Sequence, residues 1–211
     1  MIKSLLNDIA ESVVPRAPTA VRLPIFPLGS VLFPGGTLAL RIFERRYMEM
    51  ATACLKTGAT FGIALIRSGA EVGEPAEPES IGSCARITDW DMQDLGILQI
   101  RVHGEERFRL VDRTIADSGL IVGNITPIAN DAHEDCPEFT PCVQFLQKVQ
   151  SQTGARSIDT DRFDDAAWVS FRITELLPLG NAVKQKMLEL TSARMRLEIL
   201  HRILAEQRLI A

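Results

Sequence analysis

No run of apolar residues in this chain is long enough to cross a bilayer; each is broken by Gly, Pro or a charge well short of the ~20 residues a membrane helix needs. A basic excess is missing too. The 23 Lys and Arg are outweighed by 27 Asp and Glu, for a formal net charge of −4. A nucleic-acid partner held by phosphate neutralisation is therefore not favoured. Cysteine is scarce: Cys54, Cys84, Cys136 and Cys142 are the only 4, and no CxxC pair occurs. That fits reduced thiols rather than a disulfide scaffold. The GxxxxGK[ST] loop that cradles a triphosphate is absent, and with it the usual signature of ATP hydrolysis. At the N-terminus one lysine precedes a short apolar run that Asn7, Asp8 and Glu11 interrupt. A secretory signal would stay apolar for longer, so a cytoplasmic protein is expected.

What is there is ordinary globular composition: 46% hydrophobic and 24% charged residues in a chain of 211. Such a chain can bury a core as one large domain or two small ones. Residues 1–20 read as an N-terminal arm closed by Pro15 and Pro18. Residues 21–129 read as a β-rich lobe. Val21–Phe26 is extended and ended by Pro27, and Pro24 within it predicts an edge or a strand end. Pro34, Gly35 and Gly36 signal a turn. In Thr37–Ile42 the alternation puts Leu38, Leu40 and Ile42 on one face. A helix is expected over Glu44–Thr57, with Tyr47, Met50, Ala51, Cys54 and Leu55 at helical spacing and Gly58 as a left-handed cap. Phe61–Ile66 reads as a buried strand, 68–80 as a solvated acidic loop, and Ile81–Trp90 as extended. Leu98, Ile100 and Val102 alternate in a half-buried strand. His103–Glu106 reads as a turn into Arg107–Val111, and Asp117–Gly119 as a turn into Leu120–Ile128, together an antiparallel meander.

Residues 130–138 read as an acidic linker. Beyond it, in 139–211, the hydrophobic period changes from two to near 3.6 and predicts a helical bundle. Val143, Phe145, Leu146 and Val149 mark one helix. Phe163 to Leu177 marks a second, capped by Asp161 and stopped by Pro178 and Gly180. A third begins at Asn181 acting as cap. Thr191 or Ser192 caps a fourth, with a stripe of Met195, Ile199 and Ile203 widened by Leu200 and Leu204. The fold class is α+β.

The stretch Leu23–Met50 resembles the opening of the Lon protease N-terminal, substrate-binding domain, in its short stand-alone members and in the similar domain of cereblon. The elements are Leu23-Pro24, Phe26-Pro27-Leu28, Phe33-Pro34-Gly35 and Ile42-Phe43-Glu44-Arg45-Arg46-Tyr47. Val102, Gly104, Arg107, Phe108 and Leu110 make a second match. Leu176-Leu177-Pro178-Leu179, Lys184–Leu190 and Arg196-Leu197 make a third. The resemblance spans residues 21–208. It implies a PUA-like pseudo-barrel followed by a helical bundle, and a module that holds unfolded substrate proteins and contributes to assembly. The ATPase and Ser-Lys protease domains of full Lon proteases are not expected here.

Six residues stand out as candidate binding residues: Phe26, Phe33, Glu44, Arg46, Tyr47 and Trp90. Glu44 suits the start of the predicted helix. Arg46 is expected to pair with an acid, as a fold-defining contact or as one wall of a cleft. Trp90, among acids, has the character of a binding hot spot or of a core residue. The apolar run Ile25, Phe26, Leu28, Val31, Leu32 and Phe33 exceeds what a short edge strand needs, and strand addition of a peptide there is one expectation. His133, Cys136 and Cys142 fall short of the four ligands of a structural zinc site, so neither metal nor cofactor is expected. Cys54 reads as a buried structural thiol and His103 as a polar strand residue. Asp159, Asp161, Asp164 and Asp165 match neither a calcium loop nor a glycosidase pair.

The expected function is therefore a non-enzymatic polypeptide-recognition module, with self-association possible and no membrane partner. A PUA-like nucleic-acid or small-ligand binder is the alternative; it predicts an Arg patch among Arg101, Arg107, Arg109 and Arg113, with Arg107 and Arg109 on one strand face. An enzyme of unrecognised chemistry is the third.

Overall fold

The computed structural model describes residues 21–94, 96–129, 131, 137–153 and 162–210. The expected arm 1–20 and most of the 130–138 linker lie outside them. Six strands come first in substance: β1 (Val21–Leu28), β2 (Thr37–Ile42), β3 (Phe61–Ser68), β4 (Glu77–Asp94), β5 (Ile97–Ile115) and β6 (Ile121–Ile128). Helix α1 (Arg45–Thr57) is inserted between β2 and β3. A 3-10 turn at Pro137–Phe139 leads into α2 (Thr140–Thr153), α3 (Ala166–Leu176), α4 (Asn181–Glu189) and α5 (Ala193–Glu206).

The strands form one mixed sheet in the order β2-β5-β4-β3-β1-β6, and β5 also pairs with β6. That last pairing closes β5, β4, β3, β1 and β6 into a ring and leaves β2 attached to its outside. The ring encloses Ile25, Phe108, Ile121 and Ile125. A second core packs α1 on the sheet through Tyr47, Met50 and Cys54, with Phe26, Phe61 and Ile100 opposite. Phe26 and Tyr47 stack with centroids 3.9 Å apart, worth about 0.5–1.5 kcal/mol beyond the buried area. A third core joins Val31 and Phe33 of the β1–β2 connection and strand residues Leu65 and Ile81 to Trp168, Phe171, Leu197 and Leu200 of the helices.

Several local expectations hold. α1 buries Tyr47, Met50, Ala51 and Cys54, and Gly58, at φ 69°, caps it by donating its N–H to Cys54 O. Ser192 caps α5 by accepting from the Met195 N–H at 3.2 Å. Asp165, rather than Asp161, caps α3 through the Trp168 N–H at 3.1 Å; Asp159 and Asp161 lie outside the described residues. α4 has Gly180 at its N-cap, and Asn181 instead donates its side-chain amide to Gly29 O.

Other expectations change. β1 is internal to the ring. It pairs with β6 through residues 21–25 and with β3 through residues 25–28. Pro24 and Pro27 each sit where only one side is paired, so the missing N–H costs no ladder bond. The 68–80 loop is shorter than expected, because Ser68 still pairs with Glu77.

His103–Glu106 is no turn: β5 runs unbroken from Ile97 to Ile115. Gly104 lies there because a Cβ would collide with the carbonyl oxygen of Phe33, and its N–H donates to Gly36 O at 2.8 Å. The β4–β5 register shifts beside it, between Ser83 and Ala85. Past it the register is continuous, with Arg107 opposite Ser83 and Arg109 opposite Ile81, so the two keep the alternation of one strand. Arg107 is buried where it donates to Leu188 O and Leu190 O of the helical lobe and Arg109 is exposed, and no joint Arg patch forms. In α5 the buried stripe is Ala193, Arg196, Leu197, Leu200 and Leu204. Met195 and Ile199 face outward.

Polar contacts tie the helices to the strands. Arg107 of β5 and Arg196 of α5 share one carboxylate, Asp131. Arg172 of α3 donates to Pro34 O and Gly35 O, both at 2.8 Å.

Candidate functional site

β2 is the described strand with a single partner. Its residues pair with β5 in unbroken register, from Thr37 with His103 to Ile42 with Leu98. The Gly104–Gly36 bond sets the alternation: Leu38, Leu40 and Ile42 bond to β5, and Thr37, Ala39 and Arg41 turn their N–H and C=O away from it. No hydrogen bond from the described residues reaches those outward groups.

Two pockets flank this edge and share Ala39, Leu40 and Arg41. One, of about 260 Å³, lies between β2 and Leu28, Ser30, Glu71 and Val72, with the buried Phe26 and Tyr47 beneath. The other, of about 420 Å³, is lined by Asp89, Trp90, Asp91, Gln99 and Arg101. Three large apolar side chains stand in solvent around them: Phe43 at 54%, Val72 at 56% and Trp90 at 57% of full exposure.

The six residues singled out from sequence separate in the structure. Phe26, Glu44 and Tyr47 line the smaller pocket. Arg46 lies behind it, buried, paired with Glu44 at 2.8 Å. It donates to Gly73 O at 2.7 Å and Gly119 O at 3.2 Å, and its guanidinium sits over the Tyr47 ring. Burial raises the Tyr47 phenol above its usual range, with Arg46 opposing. Phe33 lies elsewhere, wholly buried against Phe171. Trp90 borders the larger pocket. Ile25, Phe26, Leu28, Val31, Leu32 and Phe33 are all buried; the run builds cores, and Phe26 and Leu28 also line the smaller pocket. The free edge is β2, which sequence reasoning passed over. Its signals were a strand with neither Pro nor acid, followed at once by Phe43.

A further cleft of about 360 Å³ lies between the lobes, by His103, Glu106 and Trp168. Its other charges are matched: Arg86 pairs with Glu105, Arg162 with Asp165 and Arg107 with Asp131. Burial raises the Cys54 thiol, pushes Cys142 to about 11 and, aided by Glu106 and Glu105, Cys84 to about 12. His133 and Cys136 lie outside the described residues. Among the described residues no group of three or more His, Cys, Asp or Glu is placed to hold a metal ion. No described helix is long and apolar enough to cross a membrane.

The model of one protein family, the ATP-dependent protease La (LON) substrate-binding domain, matches residues 22–206. The chain belongs to this Lon substrate-binding domain family. Among solved structures, a Lon N-terminal domain protein from Xanthomonas campestris is 35% identical, with a TM-score of 0.72; the match covers 86% of this chain and 98% of that one. The N-terminal domain of the Lon protease of Mycobacterium avium complex shares the fold at 19% identity and a TM-score of 0.62, over 85% of this chain and 96% of that one. No curated protein sequence matches. The Lon-domain α+β architecture expected from Leu23–Met50 is thus the architecture found, with Phe26, Pro34 and Arg46 serving its interior contacts.

Proposed function

We propose that this Lon-type domain is a non-catalytic polypeptide-binding module of the cytoplasm, in a substrate-binding or adaptor role. The family's description as a substrate-binding domain supports the general activity. The observation that carries the reading is the open β2 edge between two pockets, with Phe43, Val72 and Trp90 exposed around it. Exposed apolar side chains gathered beside unpaired backbone mark an interaction surface. A folded protein has few free apolar residues or backbone groups to offer such a surface. An unfolded chain has both.

The test is titration of the purified protein into a fluorescently labelled, reduced and carboxymethylated model protein, with the same protein in its native fold as control. Tighter binding of the unfolded form is expected. Equal or weaker binding would end the reading.

A further inference from the structure

An edge strand displays a row of donors and acceptors that another extended backbone matches. β2 does so at Thr37, Ala39 and Arg41, whose outward groups recur every second residue, ~6.8 Å apart. Edges are commonly blunted by Pro, a bulge or an inward charge. β2 has no Pro and no register shift, and its inward side chains are Leu38, Leu40 and Ile42.

The two faces of this edge differ in chemistry. On the solvent face Arg41 and, opposite Ala39, Arg101 project from adjacent strands. Neither makes an ion pair with an acid of the described residues: Asp89, opposite Arg101 on β4, accepts from the Trp90 N–H, and neither Thr37–Ile42 nor Ile97–His103 contains Asp or Glu. On the other side lies the pocket rimmed by Phe43 and Val72.

We propose that β2 is a strand-addition edge for an extended polypeptide segment in which acidic and apolar residues alternate. The segment pairs along Thr37–Ile42. Its carboxylates lie over Arg41 and Arg101, and its apolar side chains enter the pocket of Phe43 and Val72. Cross-strand pairs of opposite charge stabilise such a ladder and like charges oppose it. A second copy of this chain on the same edge would gather Arg41 and Arg101 twice over on one face, with no carboxylate from either β2. The charge pattern therefore favours a client segment. This inference rests on the polypeptide-binding reading and adds the mode and the sequence character of what is bound.

The experiment uses the full chain and a short labelled peptide alternating valine and glutamate, followed by fluorescence anisotropy. Ala39→Pro removes an outward N–H and leaves the β5 ladder intact, and is expected to weaken binding about tenfold or more. Circular dichroism checks that the variant folds. Two peptides N-methylated on alternate amides probe the same bonds without touching the protein: one set is expected to lose binding and the other to keep it. The valine–lysine counterpart is expected to bind at least about tenfold more weakly.

If Ala39→Pro and both N-methylated peptides bind like their parents, strand addition at β2 is overturned, while binding of the unfolded model protein keeps the broader reading alive. If the wild type binds no unfolded protein, both fall. A lysine peptide that binds as well as the glutamate one overturns the charge assignment. Dimerisation that Ala39→Pro abolishes, with no peptide bound, overturns the proposal in favour of a second copy.

Discussion

Replacing Asp131 by alanine leaves two guanidiniums in the interior without their counter-ion. Arg107 and Arg196 retain 1% and 0% of their side-chain exposure and Asp131 retains 6%. The carboxylate accepts from Arg107 Nη2 at 2.8 Å and from Arg196 Nη2. The remaining partners are neutral: Arg107 donates to Leu188 O and Leu190 O, and Arg196 to Leu190 O and Ser170 Oγ. Both lie over the Phe171 ring. Burial, with the neighbouring Arg107 charge, pulls the Arg196 guanidinium below its usual pKa, and Asp131 is the main group that opposes this. Two charge-assisted bonds are lost, at about 1.5–3 kcal/mol each. Breaking a buried pair costs about 3–5 kcal/mol, and that is the expected destabilisation. At roughly 2–4 °C per kcal/mol for a chain of this size, Tm falls by about 10–15 °C. Urea unfolding and calorimetry measure both. Asp131→Asn, which keeps one acceptor, is expected to lose less. Replacing all three residues by apolar ones of similar volume is expected to recover most of the loss. A loss below about 1 kcal/mol for Asp131→Ala would refute the claim that this network joins strands to helices, since only water reaching both arginines could make it so small.

Burial pushes the Glu175 carboxyl up to about 7 against the opposing charges of Arg172 and Lys184. The folded state then holds a proton that the unfolded state has released, so the contribution is complete below pH ~4.5 and is lost as pH rises through about 7. Because Glu175 keeps part of its exposure, the loss is on the order of 1–2 kcal/mol. Glu175→Gln should grow more stable relative to wild type by that amount between pH 4.5 and 8, read by urea titration; a constant difference would contradict the assignment. Gly104→Ala places a methyl against Phe33 O and is expected to cost about 2–3 kcal/mol by the same measurement, with no effect if the backbone can yield. Ser192→Ala removes the α5 cap and is expected to cost about 1 kcal/mol. Cys84 and Cys142, with thiols at about 12 and 11, are expected to react with a thiol reagent at pH 8 only as the protein unfolds; rapid modification of the native chain would show otherwise.

The sequence by itself determined the elements whose cause is local. The 3.6 period of Tyr47, Met50 and Cys54, the cap at Gly58, the hydroxyl at Ser192 and the alternation of Leu38, Leu40 and Ile42 are each read within a few residues, and each reappears in place. The motif of Leu23–Met50 likewise carried the family and fold. Only the tertiary structure decided what depends on residues far apart in the chain. Gly104 has the character of a turn residue, and its close approach to Phe33 made it part of a strand. Pro24 reads as an edge signal, but β6 and β3 pair with opposite halves of β1. Arg107 reads as a surface charge, and its match lies 24 residues away at Asp131, which reaches a further 65 residues to Arg196. The candidate site follows the same division. The β2 pattern is visible in Thr37–Ile42, but its open edge exists because β6 closes the ring on β5 and leaves β2 outside. Periodicity reports which face of an element is buried. It says nothing of which backbone edge goes unpaired, because ring closure is set by long-range register.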